Sequence, residues 1–218
     1  MIEIDRVMSD MARRRPLFCS EADLQHELAM ELRMRQPHRQ IRLEYPLGGD
    51  LRGAIDALLL GERPFALELK YLCKGLVAEV DGERFTLRQQ SAHDIRRHDV
   101  CKDVARMEAF VRRTNHDAAV LVLSNDPAYW QPRRRGDTVD AAFDIAEAKE
   151  LAGTLQWGDK AGAGTTRGRD VPLQLSGRYP LAWRDYSDLG LPAGRFRYLW
   201  IPVSAPGNRG SLRAPSFE

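Results

Sequence analysis

Hydrophobic residues recur at helical spacing over the first 35 residues of the chain. Ile4, Val7, Met8 and Met11 predict a helix over residues 2–14, which ends before Pro16. Ser20 opens a second helix, with Asp23 completing a weak capping box and Pro37 beyond its end. Its apolar stripe is formed by Leu24, Leu28 and Leu32. Glu21 falls within that stripe on a helical wheel, and an acid in that position calls for a reason.

The pattern then changes to a period of two, which is typical of strands. Three strands are predicted over residues 41–45, 53–60 and 65–72, separated by glycine-containing turns. In the third strand Glu68 and Lys70 share one face, because successive side chains of a strand point to opposite sides. A hairpin follows, with strands over residues 76–80 and 83–85 around Asp81-Gly82.

The remaining elements are predicted from a mixture of signals. A long helical region begins at Thr86, whose capping box is completed by Gln89, and its buried side carries Val100, Val104, Met107 and Val111. Residues 118–123 form a continuous apolar run, which indicates a central strand. Further expectations are a helix over 137–151, an irregular polar stretch over 158–170, strands over 181–186 and 196–203, and a flexible tail over 206–218.

The composition of the chain excludes some classes of protein but does not by itself indicate a function. The 218 residues carry 33 Lys and Arg against 31 Asp and Glu, so a basic tail that binds nucleic acid through bulk charge is excluded. Only five of the 33 cations are lysine; an arginine fork suits phosphate, but a GC-rich coding bias would produce the same excess. Three cysteines without CxxC spacing are interpreted as reduced core thiols. No apolar run approaches the roughly 20 residues that cross a bilayer, so we expect a cytoplasmic protein without a membrane partner.

The candidate catalytic residues are an acid on one predicted strand and a Glu-x-Lys motif on the next. Asp56 and Glu68 lie on adjacent predicted strands, and two such carboxylates can converge on one Mg²⁺ ion. Lys70 would then lie beside the metal, either as an ammonium group or as an amine of lowered pKa. A surface hairpin with charged outward residues is the alternative, but apolar flanks in both registers indicate strands buried on both faces.

A third acid is expected on the helix that precedes these strands. Glu21 is the first candidate for the helical acid, and Glu27 and Glu31 are the others. The competing interpretation of Glu21 is a carboxylate placed at a helix N-terminus, where the helix dipole favours negative charge.

With these residues the chain resembles the PD-(D/E)XK nuclease superfamily, over residues 17 to about 125. The resemblance implies a restriction-endonuclease-like α/β core, a mixed central sheet flanked by helices. It also implies that Asp56, Glu68 and Glu21 ligate Mg²⁺, for which Mn²⁺ would substitute, and that Lys70 orients the nucleophile. Gln90, placed in the following helix, would touch metal-bound water or the DNA backbone. The chain departs from the family pattern at Ile55, where the family name expects proline.

Several arginine and aromatic residues are weaker candidates for contact with nucleic acid. Gln90, Asp94, Arg97 and Cys101 form a line along the predicted helix, from which Arg97 would reach phosphate, although a solvated helix with internal ion pairs explains it equally. Tyr129 and Trp130, followed by Arg133, Arg134 and Arg135, suit a loop that stacks a base and grips phosphate. An aromatic anchor on the sheet beside a solvated arginine run is the alternative.

The sequence therefore predicts one nuclease-like domain over residues 1–205, with its core motifs in 17–125 and elaborations in 126–205. Its expected function is Mg²⁺-dependent hydrolysis of phosphodiester bonds, with DNA favoured over RNA and an endonuclease over an exonuclease. Two alternatives stay open: a non-catalytic module that binds nucleic acid or protein, and an interaction domain with a chance Glu-x-Lys. A homodimer is compatible with cutting two strands, but no coiled-coil pattern indicates one.

Overall fold

A six-stranded mixed sheet forms the centre of the protein in the computed structural model, which describes residues 2–48, 53–133 and 136–205. The strands are β1 (Ile41–Pro46), β2 (Ala54–Leu59), β3 (Phe65–Leu72), β4 (Leu76–Val80), β5 (Glu83–Leu87), β6 (Asp117–Ser124), β7 (Glu150–Leu155), β8 (Leu173–Pro180), β9 (Trp183–Asp188) and β10 (Arg195–Val203). The central sheet has the order β1-β2-β3-β6-β10-β9, while β4-β5 and β7-β8 form two separate hairpins.

The described part of the chain contains four α-helices, of which the first three cover the two faces of this sheet. They are α1 (Ile4–Arg14), α2 (Glu21–Arg35), α3 (His93–Thr114) and the short α4 (Ala163–Thr166). The apolar residues of α1 and α2 pack on one face together with the β4-β5 hairpin. Those of α3 pack on the other face together with the β7-β8 hairpin. The molecule is therefore a layered α/β structure with a core on each side of the sheet.

The centre of the sheet is the parallel pair of β3 and β6, which align from Phe65 opposite Asp117 to Leu72 opposite Ser124. The other neighbouring strands of the sheet are antiparallel. A parallel connection needs a crossover, and α3 provides it between β3 and β6. Residues 118–123 are fully enclosed, which confirms the central strand that their continuous apolar run predicts.

The long helix begins later than its apparent capping box predicts. Thr86 is exposed between buried Phe85 and Leu87 and pairs with Val77, so it belongs to the hairpin strand β5 rather than to a helix. The helix starts at His93, after Ala92 in a left-handed conformation. The placement of Gln90 on this helix is thus wrong, because alternating burial in a hairpin overrides the local Thr-x-x-Gln signal.

The segment predicted as a helix over residues 137–151 is also different. It contains a 3₁₀-helix, Ala141–Phe143, and ends in β7. Ala148 has a positive φ of 60°, which a continuous α-helix does not accommodate. The polar stretch over 158–170 is largely irregular as expected but includes α4, and β8 follows it as a strand that the pattern did not predict. The predicted tail, residues 206–218, lies outside the described residues.

Two further expectations concern the cysteines and the membrane. Cys73 and Cys101 are buried free thiols, but Cys19 is exposed, so only two of the three are core residues. Among the described residues, none of the helices combines the length and the apolar character needed to span a bilayer.

Candidate active site

The candidate site lies where β2 separates from β3. The two strands pair only from residues 57–59 to residues 65–67, and Asp56 is the first residue beyond that ladder. Its carbonyl oxygen accepts a hydrogen bond of 2.7 Å from Gln25 of α2. Gln25 also donates to Glu44, which has a positive φ of 49° on the neighbouring strand. The separation frees one edge of β3 beyond Leu67, and its backbone groups need other partners.

Two of the predicted acids accept the freed N–H groups of β3. The Asp56 carboxylate accepts from Leu69 N at 2.5 Å, and the Glu21 carboxylate accepts from Tyr71 N at 2.8 Å. Glu21 reaches this edge because it is the first residue of α2, whose N-cap Ser20 accepts from Asp23 N at 3.1 Å. The structure thus brings Glu21 and Asp56 to one edge, although the Glu21 side chain is 45% exposed rather than buried in the stripe.

Two predicted donors satisfy the carbonyl groups of the same edge. Lys70 Nζ donates to Leu69 O at 2.8 Å, and Gln90 Nε2 donates to Tyr71 O at 3.1 Å. Gln90 therefore lies near the site although it stands in the loop before α3. These four polar side chains take over the hydrogen bonds that a neighbouring strand would otherwise make.

Glu68 lies on the face of β3 that α3 covers, and it is fully enclosed. One carboxylate oxygen contacts the Arg106 guanidinium, while Oε1 has no hydrogen-bond partner among the described residues. Burial raises the pKa of Glu68 to about 9, with Asp56 and Asp103 adding to the rise and Arg106 and Lys70 opposing it. Burial also raises the pKa of Asp56, and the Leu69 N–H only partly offsets this.

Lys70 lies among acids that keep it charged. Its Nζ is 3.0 Å from Asp103 Oδ2 and 3.9 Å from Glu21 Oε1. Burial lowers the pKa of Lys70, but the attraction of Asp103 and Glu21 outweighs burial and leaves that pKa above its ordinary value. The arrangement therefore favours the ammonium form, and the alternative of an amine with a lowered pKa is not supported.

Asp103 and Arg106 complete the cluster, and the sequence reasoning missed both. They are three residues apart on α3, and Arg106 Nη2 is 3.3 Å from Asp103 Oδ1. Asp103 is 6% exposed, so it does not lie on a solvated face of α3. The sequence does contain a signal for the burial of Asp103. On a helical wheel this residue falls about 60° from Val100, at the border of the apolar stripe.

The other two helical acids belong to a different cluster. Glu31 is buried and contacts both Arg14 and Arg35, and Glu27 Oε1 is 3.8 Å from Arg14. The Arg14 pairs join α1 to α2, whereas the pair of Glu31 and Arg35 lies within α2. Of the three candidates, Glu21 is the helical acid at the site.

The residues predicted to contact nucleic acid are mostly engaged within the protein. Tyr129 is 1% and Trp130 6% exposed, and they pack in the core on the α3 side of the sheet, as the aromatic-anchor alternative requires. Arg97 is buried and donates to Asp140 and to Ala128 O. Arg133 also donates to Asp140. Arg134 and Arg135 lie outside the described residues.

The cluster has an excess of acids over cations. Glu21, Asp56, Glu68 and Asp103 face Lys70 and Arg106, so four carboxylates meet two cations, an excess of two negative charges when all are ionised. Within the described residues, however, no three His, Cys, Asp or Glu side chains are close enough together to form a ready metal-binding group.

Comparison with known proteins adds no assignment. The chain matches no protein-family model, no curated protein and no solved structure.

Proposed function

We propose that the protein is a divalent-metal-dependent nuclease of restriction-endonuclease-like architecture that hydrolyses phosphodiester bonds in DNA. The observation that carries the proposal is that Asp56, Glu68 and Lys70 lie close enough to influence one another's pKa, beside the point where β2 and β3 separate. The element order supports the architecture: a helix with Glu21 precedes three antiparallel strands, and a crossover helix leads to a parallel strand.

The chemistry of the donors, carboxylate oxygens, suits a hard divalent cation, although in the described residues they are not gathered into a ready metal-binding group. Carboxylate oxygens are the ligands that Mg²⁺ prefers, and a buried carboxylate oxygen without a partner, Glu68 Oε1, is costly unless a cation or donor compensates it. When all four carboxylates are ionised, which for Glu68 requires loss of the proton that its raised pKa retains, the excess of two negative charges matches one divalent ion. Asp56 and Glu68 would hold Mg²⁺, with Glu21 at the border of the site. When bound, Mg²⁺ lowers the pKa of coordinated water and stabilises charge on phosphoryl oxygens.

The chain supplies charge and position to the reaction. Lys70 is held as an ammonium by Asp103 and Glu21, so it attracts a phosphate oxygen and orients the attacking water by donating hydrogen bonds. Asp103 acts through Lys70 and is a positioning residue. In the hydrolysis, a water oxygen bonds to phosphorus and gives up a proton to solvent, while the bond to the sugar oxygen breaks and that oxygen takes up a proton from solvent.

Cleavage assays on isosteric variants test the proposal. Asp56→Asn keeps an oxygen that accepts from Leu69 N but removes the charge, and Lys70→Met removes the ammonium. We expect each to reduce cleavage by at least about a hundredfold. Substrates are linear, nicked, branched and single-stranded DNA and RNA, with Mg²⁺ or Mn²⁺. Glu62→Gln, in the exposed turn between β2 and β3, is the matched control. Undiminished cleavage by Asp56→Asn and Lys70→Met contradicts the proposal.

The Arg106 contact favours a second candidate function. The guanidinium of Arg106 already gives Glu68 a positively charged partner, so Glu68 would not need a metal ion. The same fold would then serve as a non-catalytic module that binds nucleic acid or a protein partner. Calorimetric titration with Mn²⁺ separates the candidates, because a binding module needs no metal at Asp56 and Glu68. Absence of Mn²⁺ binding together with salt-dependent binding of DNA would favour the module.

A further inference from the structure

Arg106 occupies the place beside Glu68 that a bound cation would take. Its guanidinium contacts one oxygen of the fully enclosed Glu68 carboxylate and lies 3.3 Å from Asp103 Oδ1. A charge-assisted contact of this kind is about twice as strong as a neutral hydrogen bond. Arg106 therefore favours the ionised form of Glu68 and opposes the rise in its pKa that burial causes.

The backbone around Arg106 leaves room for its side chain. A Cβ atom on Gly53 would lie 3.1 Å from Arg106 Nη1, closer than nearly all real Cβ contacts. Gly53 also has a φ of 96°, a conformation that L side chains rarely adopt. The residue just before β2 is thus fitted to an arginine that reaches down from α3.

The side chain of Arg106 is also able to leave. It is 24% exposed, whereas Glu68 is fully buried, so the guanidinium lies at the border between the cluster and solvent. Arginine has a long flexible stem that lets its head group move into water while the stem stays packed. Lys70 has acid partners of its own, Asp103 and Glu21, and does not depend on Arg106 for them.

From these contacts we infer that Arg106 is a built-in counter-ion that competes with a divalent cation for the Glu68 carboxylate, which makes it a determinant of metal affinity. The inference rests on the proposed metal-dependent function. It goes beyond that function because it says that the metal ion competes with Arg106 for Glu68. Two cations on one carboxylate repel each other, so each weakens the binding of the other. Arg106 would stabilise the Glu68 carboxylate when no metal is bound, and it would weaken metal binding as a consequence.

Titration calorimetry with Mn²⁺ tests the inference by a readout other than cleavage. Arg106→Gln removes the charge, and we expect Mn²⁺ to bind at least about fivefold more tightly than to the wild-type protein. Arg106→Lys keeps the charge but loses the planar fork, so its affinity should fall between the two. Arg96→Gln removes an exposed charge from the same helix, controls for long-range charge, and should bind Mn²⁺ like the wild type.

The possible outcomes separate the inference from the proposed function. Wild-type Mn²⁺ binding with no gain in Arg106→Gln beyond that of Arg96→Gln overturns the inference and leaves the nuclease proposal standing. No Mn²⁺ binding by any of the proteins overturns both. Binding by Arg106→Gln but not by the wild type supports the competition. Should Arg106→Gln be unfolded without metal, circular dichroism must show that Mn²⁺ restores its helix content, and failure to do so overturns the inference.

Discussion

Glu68 combines complete burial with a cluster of neighbouring acids. Its pKa is raised from 4.5 to about 9, first by burial and then by Asp56 and Asp103. Between those values the folded protein retains a proton that the unfolded chain has released. Stability from this group is therefore fully present below 4.5 and is lost as the pH rises through about 9.

Glu68→Gln should flatten the pH dependence of stability. We expect the free energy of unfolding of the metal-free wild-type protein to fall as pH rises from about 5 to 9, by at most about 1.4 kcal/mol per pH unit from one proton. Glutamine cannot ionise, so the variant should lose much of that slope and become relatively more stable at high pH. Urea unfolding at a series of pH values, without divalent metal, measures this.

Glu62→Gln provides the matched comparison, since Glu62 is exposed in the turn between β2 and β3. Its slope should equal that of the wild type. A Glu68→Gln protein with an unchanged slope would show that Arg106 keeps Glu68 ionised in the folded state, and the raised pKa would then be wrong.

At the scale of elements, the site depends on the start of α2. Ser20 accepts from Asp23 N, and the next residue, Glu21, accepts from Tyr71 N on the freed edge of β3. An N-cap satisfies a backbone N–H that has no partner within the helix. The cap therefore fixes both the end of α2 and the position of the helical acid.

Removing this cap should cost stability. Ser20→Ala is expected to lower the free energy of unfolding by about 1 kcal/mol, because the N–H of Asp23 loses its acceptor. Ser20→Asp restores an acceptor and should recover the loss, with urea unfolding as the measurement. An equal loss in both variants would mean that the hydroxyl contributes through something other than capping.

Sequence patterns predicted the elements in which local and tertiary preferences agree. The strands that became β2, β3 and β6 follow from alternation and apolar runs, and α2 follows from its cap and stripe. The start of α3 was missed because Thr86 and Gln89 imitate a capping box while Phe85 and Leu87 pair as a strand. Periodicity over short windows cannot tell these apart when the deciding contacts come from elsewhere in the chain.

The residues of the candidate site also fall into two groups, those that local sequence patterns reveal and those that depend on tertiary packing. Glu68 and Lys70 were accessible because alternation along β3 places them on one face, and Asp56 was accessible because it lies on the strand that the tight turn pairs with β3. Asp103 and Arg106 were not, since their role depends on how α3 is rotated against β3. For Tyr129 and Trp130 the sequence left a base-stacking loop and an aromatic anchor on the sheet both open, because the choice depends on packing against distant strands; their burial agrees with the anchor.

At the scale of the whole molecule, much of the balance between basic and acidic residues reflects ion pairs within the protein. The chain has 33 basic and 31 acidic residues, and several arginines contact buried acids: Arg14 and Arg35 contact Glu31, and Arg97 and Arg133 contact Asp140. Arginines engaged in this way are not free to neutralise phosphate. Under the proposed function, attraction for DNA would then depend on local charge, and the acidic cluster would oppose it when no metal is bound.

The acidic cluster should make DNA binding depend on the charge at the site. In buffer with a chelator, Asp56→Asn should bind a labelled duplex several-fold more tightly than the wild-type protein, because one carboxylate no longer repels phosphate. The difference should shrink as salt rises, since screening weakens interactions between exposed charges beyond about 10 Å at 0.1 M. Fluorescence anisotropy over a range of salt concentrations measures both effects. Glu62→Gln removes the same charge from a turn and should leave affinity near the wild-type value. Equal gains from Asp56→Asn and Glu62→Gln would mean that DNA responds to total charge and does not approach the cluster.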